Sequence, residues 1–78
     1  MTLTVLSPER TLLQISDVTA IELPGTAGRF VILHGHAPLI TSLTAGIIRY
    51  DVGGERRTLE IEGGFAEILD DNVTVCAD

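Results

Sequence analysis

Turn-forming residues divide this chain so closely that only short strands fit between them. Eight glycines and three prolines are spread over 78 residues, and Asp70-Asp71-Asn72 adds a further polar cluster. Glycine and proline at this spacing mark turns, and no segment between them keeps a helical period. Thr2 to Leu6 alternates, with Leu3 and Val5 on one face, as a half-buried strand does. Ser7-Pro8-Glu9-Arg10 breaks it. Thr11 to Ile15 is a second strand, turned by Ser16-Asp17. Val18 to Leu23 is a third whose buried face stays open: Val18, Ala20 and Glu22 lie on one side, Thr19, Ile21 and Leu23 on the other. After a turn at Leu43-Thr44-Ala45-Gly46, Ile47 to Val52 puts Ile48, Tyr50 and Val52 in phase. Gly53-Gly54 reads as a tight hairpin, because adjacent glycines supply the positive φ angles such turns need. Arg56 to Glu62 is its return strand. Gly63-Gly64 marks a bulge or a close backbone approach. Phe65 to Leu69 admits two phases, with either Ala66 and Ile68 or Phe65 and Leu69 in the core. Val73 to Ala77 closes the chain. Seven to ten short strands of this kind predict an all-β sandwich or flattened barrel, one domain over residues 1–78.

Leu23 to Thr41 collects three glycines, two prolines and both histidines. It reads as loop, short strand, loop, with Phe30-Val31-Ile32-Leu33 as the buried strand. Loops held on a rigid scaffold are where contacts tend to sit.

Composition excludes several functions. Five arginines and no lysine face eleven Asp and Glu, net −6. Nucleic-acid binding needs a basic face, so no nucleic-acid partner is expected. Cys76 stands alone and reads as a small strand residue. His34 and His36 form an H-x-H pair, but a metal site needs further ligands at a recognisable spacing, and none is present. Gly25-Thr26-Ala27-Gly28 lacks the Lys and the following helix of a phosphate loop. Glu60 and Glu62 share one face of a strand and read as a solvated face. No catalytic residue, no metal and no cofactor is expected; the residues describe a binding or structural module.

One pattern is more specific. Pro24-Gly25-Thr26-x-Gly28-x-Phe30-x-Ile32-Leu33-x-Gly35-His36-Ala37-Pro38-Leu39-Ile40-Thr41 resembles the amino-terminal domain of the epsilon subunit of F-type rotary ATP synthase. Ser7-Pro8-Glu9-Arg10 matches the first turn of that family, and Gly46 to Tyr50 a strand entered by glycine. Gly63-Gly64-Phe65-x-Glu67 and Asn72-Val73-Thr74-Val75-x-Ala77-Asp78 match its last two strands. The resemblance implies a ten-stranded sandwich of two five-stranded sheets. It implies a non-catalytic subunit of the central stalk, coupling c-ring rotation to ATP synthesis. The partners would be the gamma subunit, the c-ring and, indirectly, the alpha/beta catalytic hexamer, on the cytoplasmic face of a bacterial inner membrane. Carried over position by position, Gly25, Thr26, Ala27, Gly28 and Arg29 face the c-ring, and Ser7, His36 and Thr41 lie near gamma.

The chain departs from that pattern in places. It begins at Met1 and stops as its last strand ends, which favours a naturally short form without the carboxy-terminal helical domain and its inhibitory role. His34 stands where the family commonly has Pro, and Val31 where Gly is common. Arg29 replaces an acidic or neutral residue and offers a partner to an acidic c-ring loop. The rival readings are a free-standing ligand-binding module with a pocket near His34, His36 and Tyr50, and a small metalloenzyme using the histidine pair.

Overall fold

The computed structural model describes all 78 residues, Met1 to Asp78. Nine strands occupy most of the chain: β1 (Thr2–Leu6), β2 (Thr11–Ile15), β3 (Val18–Gly25), β4 (Gly28–Leu33), β5 (Leu39–Leu43), β6 (Gly46–Val52), β7 (Glu55–Ile61), β8 (Gly64–Leu69) and β9 (Asn72–Ala77). Hydrogen bonds link them in the order β2-β1-β9-β8-β5-β3-β6-β7, with β4 paired to β3. β3 and β5 meet only at Gly25 and Leu43. That single pair divides the path into a five-stranded half, β2-β1-β9-β8-β5, and a four-stranded half, β4-β3-β6-β7. All pairings are antiparallel except β1 with β9, which are parallel and set the first and last strands side by side. The sandwich is as expected, but with nine strands rather than ten: the second half has four, and β4 has β3 as its sole partner strand.

Alternation sets the core. Leu3 and Val5, Ile48 and Tyr50, Ala66 and Ile68, and Val73, Val75 and Ala77 are all buried, two residues apart along their strands. This resolves the phase of β8 in favour of Ala66 and Ile68; Phe65 and Leu69 face outward. In β3 the core residues are Val18, Ile21 and Leu23, and Pro24 and Gly25 beyond them are buried too. The break in alternation has a cause. Val18 pairs with Val52 and Ala20 with Asp51, so Thr19 is an extra residue, and such a bulge shifts the side-chain phase of the strand. The buried hydrophobic residues form one cluster, with no buried polar or charged side chain among them.

Three elements differ from the sequence reading. The strand expected to be buried over Phe30–Leu33 buries only Ile32; as an edge strand of the four-stranded half it leaves Val31 and Leu33 exposed. Pro24 and Gly25 continue β3 instead of opening a loop, and the second loop shrinks to residues 34–38 because β5 follows it. Pro24 is tolerated where β3 crosses between halves. Its carbonyl accepts the Thr44 N–H at 2.8 Å, and its nitrogen faces that same edge, so no ladder bond to β4 is lost.

Turn chemistry explains the rest. Gly53 and Gly54 both have positive φ (60° and 78°), as the hairpin reading requires. Asp70 and Asp71 do the same job between β8 and β9, at φ 51° and 61°, a region that Asp visits more readily than most side chains. Gly64 differs from these: at φ 136°, a Cβ there would overlap the Cys76 carbonyl oxygen. Gly64→Ala is therefore expected to cost about 3 kcal/mol in denaturant unfolding, against about 1 kcal/mol for Gly53→Ala, whose Cβ would stand in open space. Equal costs at the two sites would refute the close-approach account.

Candidate functional site

The outward face of the five-stranded half is nearly free of charge. Its five strands carry one charged residue, Glu67, while the four strands of the other half carry eight. Cross-strand pairing orders the outward side chains into rows. Leu6, Cys76, Phe65 and Ser42 form one row across β1, β9, β8 and β5. Thr4, Thr74, Glu67 and Ile40 form the next, and Thr2, Asn72 and Leu69 the last. Ile40 is 70% exposed and Phe65 50%, with Leu69 also exposed. Large apolar side chains with little charge around them are what the centre of a protein interface contains. Two shallow grooves flank this face. One, about 350 Å³, is lined by Leu6, Ser7, Pro8, Phe65, Cys76 and the terminal residues Ala77 and Asp78. The other, about 410 Å³, runs along Pro38, Leu39, Ile40, Glu67 and Leu69.

The second feature is the β3–β4 hairpin. Gly25 pairs with Gly28, leaving Thr26 and Ala27 at the tip. Gly28 has φ 130°, and a Cβ on Gly25 would lie 2.7 Å from the Gly28 carbonyl oxygen, so glycine is required at both positions for different reasons. The tip is tied to β5: Thr26 N–H donates to the Ser42 carbonyl at 3.1 Å, and the two hydroxyls lie 2.8 Å apart. Behind the tip, Arg29 Nε donates to Glu22 at 3.1 Å, and its Nη2 donates to the Ile47 carbonyl. Arg49 Nη1 donates to the other oxygen of the same carboxylate at 2.9 Å. Glu22 and Arg49 are direct cross-strand partners, and Arg29 lies two residues from Val31, the Glu22 partner on β4. The Arg49 hydrogen bond, followed by that of Arg29, holds the Glu22 carboxyl below its usual range. Arg56 acts likewise on Asp51.

The histidines lie beyond β4 in the turn over residues 34–38 and are not on a strand. His34 Nδ1 donates to Asp71 at 2.8 Å, while the other oxygen of that carboxylate accepts the Gly35 N–H at 2.9 Å. His36 Nδ1 lies 2.7 Å from the Ala37 carbonyl oxygen and donates to it. The two rings thus have separate partners, and no three metal-ligating side chains converge. Tyr50 is buried in the core, and neither groove is lined by it or by the histidines, which removes the pocket assumed by the ligand-binding alternative.

The residues singled out in the sequence are spread over both ends of the sandwich. Gly25–Arg29 and Ser7 lie at the end that also holds Leu43 and Gly64, and His36 at the opposite end, beside the β8–β9 turn. Ser7 lines the first groove, and its hydroxyl closes its own turn by accepting from the Arg10 N–H at 3.2 Å. His36 stands two residues from Pro38 in the second groove. Thr41 pairs with buried Ala66 and so turns inward, half-buried. The sequence reading leaves Phe65 and Leu69 open between two phases and does not single out Ile40 as a surface residue. Their signal, a set of strands with Glu67 as the one charged residue, emerges only once those strands are known to share a sheet.

The whole chain, residues 1–78, matches the family model described as the ATP synthase delta/epsilon chain beta-sandwich domain. It is 43% identical over 76 residues to the ATP synthase epsilon chain of Solibacter usitatus, covering 97% of this chain and 56% of that one. It is 44% identical over 77 residues to the epsilon chain of Desulfitobacterium hafniense, covering 99% of this chain and 58% of that one. The chain therefore spans just over half the length of these curated relatives. Among solved structures it is similar to a chain of the Euglena gracilis mitochondrial ATP synthase OSCP/F1/c-ring assembly, with TM-score 0.88 at 28% identity over 96% of this chain and 48% of that one. A chain of the Tetrahymena thermophila mitochondrial ATP synthase central stalk/c-ring shares the fold, with TM-score 0.79 at 16% identity over 99% of this chain and 62% of that one.

The Glu22 cluster has a pH signature. A carboxyl held below its usual value of 4.5 stabilises the fold above that pH, and the contribution is lost as pH falls through the lowered value. The melting-temperature gap between the wild-type chain and Glu22→Gln is expected to be full at neutral pH and to close below about pH 4. A gap that stays constant down to roughly pH 3 would contradict the pairing.

Proposed function

The chain belongs to the delta/epsilon β-sandwich family of ATP synthase, and from that premise we propose that it is the epsilon-type element of an F-type central stalk. In this reading it couples c-ring rotation to ATP synthesis without chemistry of its own, at the cytoplasmic face of a bacterial inner membrane. The gamma subunit docks on the outward face of the five-stranded half. The observation that carries this is the low charge of that face, on which Glu67 is the one charged strand residue and Phe65, Ile40 and Leu69 are exposed. Gamma contact by Ser7 is supported by its place in the first groove; His36 lies outside both grooves, two residues before Pro38 of the second, and its gamma contact rests on the family resemblance. Thr41 faces inward opposite buried Ala66, so on β5 the contact falls to its outward neighbours Ile40 and Ser42.

The c-ring contact falls on the β3–β4 hairpin. Thr26 and Ala27 form its tip, Gly25 and Gly28 shape it, and Arg29 stands behind. Because Arg29 is already bonded to Glu22 and to the Ile47 carbonyl, the tip offers hydroxyl and backbone groups rather than a free cation. The catalytic hexamer is reached through gamma. Torque transfer needs a stiff body with two contact surfaces. A single buried core within extents of 27 × 23 × 19 Å, with a docking face and a hairpin tied to its edge, meets that need.

Replacing an apolar anchor at the centre of an interface commonly costs 2 kcal/mol or more. Phe65→Glu is therefore expected to weaken binding to the gamma subunit of the same enzyme by about thirtyfold or more in titration calorimetry. Arg57→Glu, on the other half, is expected to bind as wild type does. Unchanged affinity in Phe65→Glu would remove this face as the docking surface.

A further inference from the structure

We infer that Glu22 is a positioning residue for the β3–β4 hairpin: by holding Arg29 of β4 and Arg49 of β6 at once, its carboxylate fixes the angle at which the tip meets its partner. This rests on the proposed c-ring contact of that hairpin. The geometry is specific. Glu22 accepts from the two guanidiniums through different oxygens, at 3.1 and 2.9 Å. Arg29 extends past it to the Ile47 carbonyl at the start of β6. Strand β4 has backbone pairing only to β3. Tilting the hairpin away from β6 therefore requires Glu22 to leave Arg49 and Arg29 to leave the Ile47 carbonyl, while the Glu22–Arg29 bond ties the two strands of the hairpin together. On the opposite side, Thr26 is bonded to Ser42 of β5. The hairpin is braced towards both halves of the molecule.

The brace changes the meaning of Arg29. Its planar guanidinium presents several donors in fixed directions, so it can serve a carboxylate and a carbonyl together, which the single ammonium of Lys does less well. Its charge is spent within the chain. Substituting Arg29 then acts on the partner through hairpin position and not through a lost intermolecular ion pair.

Two readouts test this. In amide hydrogen exchange of the 78-residue chain, Glu22→Gln is expected to speed exchange over Gly25–Phe30 by about fivefold, as the loss of a partly exposed charged cluster would. Amides of β1 and β9 should keep wild-type rates, which separates a loosened hairpin from general unfolding. In the ATP synthase assembled with this chain, Glu22→Gln and Arg49→Gln should both lower proton pumping per ATP hydrolysed at unchanged incorporation. Arg29→Lys should restore part of what Arg29→Gln loses. Unchanged hairpin exchange in Glu22→Gln overturns the brace, and faster exchange with full coupling overturns its positioning role. Thr26→Trp alters the tip and leaves Glu22 and its arginines in place. Full coupling in that variant counts against the c-ring contact itself, which hairpin exchange does not depend on.

Discussion

The pairing of Gly25 with Leu43 makes two small sheets into one body. Neither half has enough strands to bury a core alone, and the core residues come from both. At this corner the β3 backbone leaves β6 and meets β5, and there is no room for a side chain at Gly25 and little at Gly46. A Cβ on Gly25 would press on the Gly28 carbonyl and the Phe30 ring, and one on Gly46 would lie 3.1 Å from Pro24. Pro24 contributes its carbonyl to Thr44 and needs no donor on the other side. The corner thus depends on residues that lack a side chain or lack an N–H. The same residues shape the hairpin proposed to meet the c-ring. Fold closure and contact geometry share one set of constraints.

Charge is partitioned between the two halves. The four-stranded half carries its acids and bases as neighbours on adjacent strands, as in Glu22 with Arg29 and Arg49, and Asp51 with Arg56. These pairs are solvated, and their separate contributions are small. Their effect is to make that face hydrophilic and locally stiff. The five-stranded half has Thr, Ser and Asn beside exposed Ile, Phe and Leu. A net charge of −6 describes neither face. The asymmetry is one of charge: Val31 and Leu33 of β4 are exposed too, but they share their half with the paired acids and bases, whereas Phe65, Ile40 and Leu69 have only Glu67 beside them.

Much of the fold was legible because its turns are local chemistry. Gly53-Gly54 needs positive φ, Ser7-Pro8 ends a ladder, and alternation in β1, β6 and β9 names the buried side. Three features were not legible. β5 follows a proline, and its Leu39 and Ile40 are adjacent apolar residues without alternation, so it resembled loop. The phase of Phe65 was open because each face of β8 holds apolar residues, Phe65 and Leu69 around Glu67 on one and Ala66 and Ile68 on the other; pairing with β9, whose Val73 and Val75 are buried, decides it. The bulge at Thr19 is a matter of register with β6, which no local pattern announces. The candidate site divides in the same way. Its glycine hairpin was readable, and the gamma-contact readings at Ser7, His36 and Thr41 rest on the family resemblance. The face of low charge depends on a parallel pairing between the first and last strands, so it exists only in three dimensions.

Cys76 gives the most direct test of the docking face without any substitution. It lies half-buried in the row between Leu6 and Phe65, at the first groove, and it is the sole cysteine of the chain. Its rate of modification by a small alkylating reagent can be followed by mass spectrometry in the free chain and in the assembled enzyme. If gamma covers this face, the thiol reacts in the free chain and is strongly protected in the assembly. The same rate in both states would contradict the assignment.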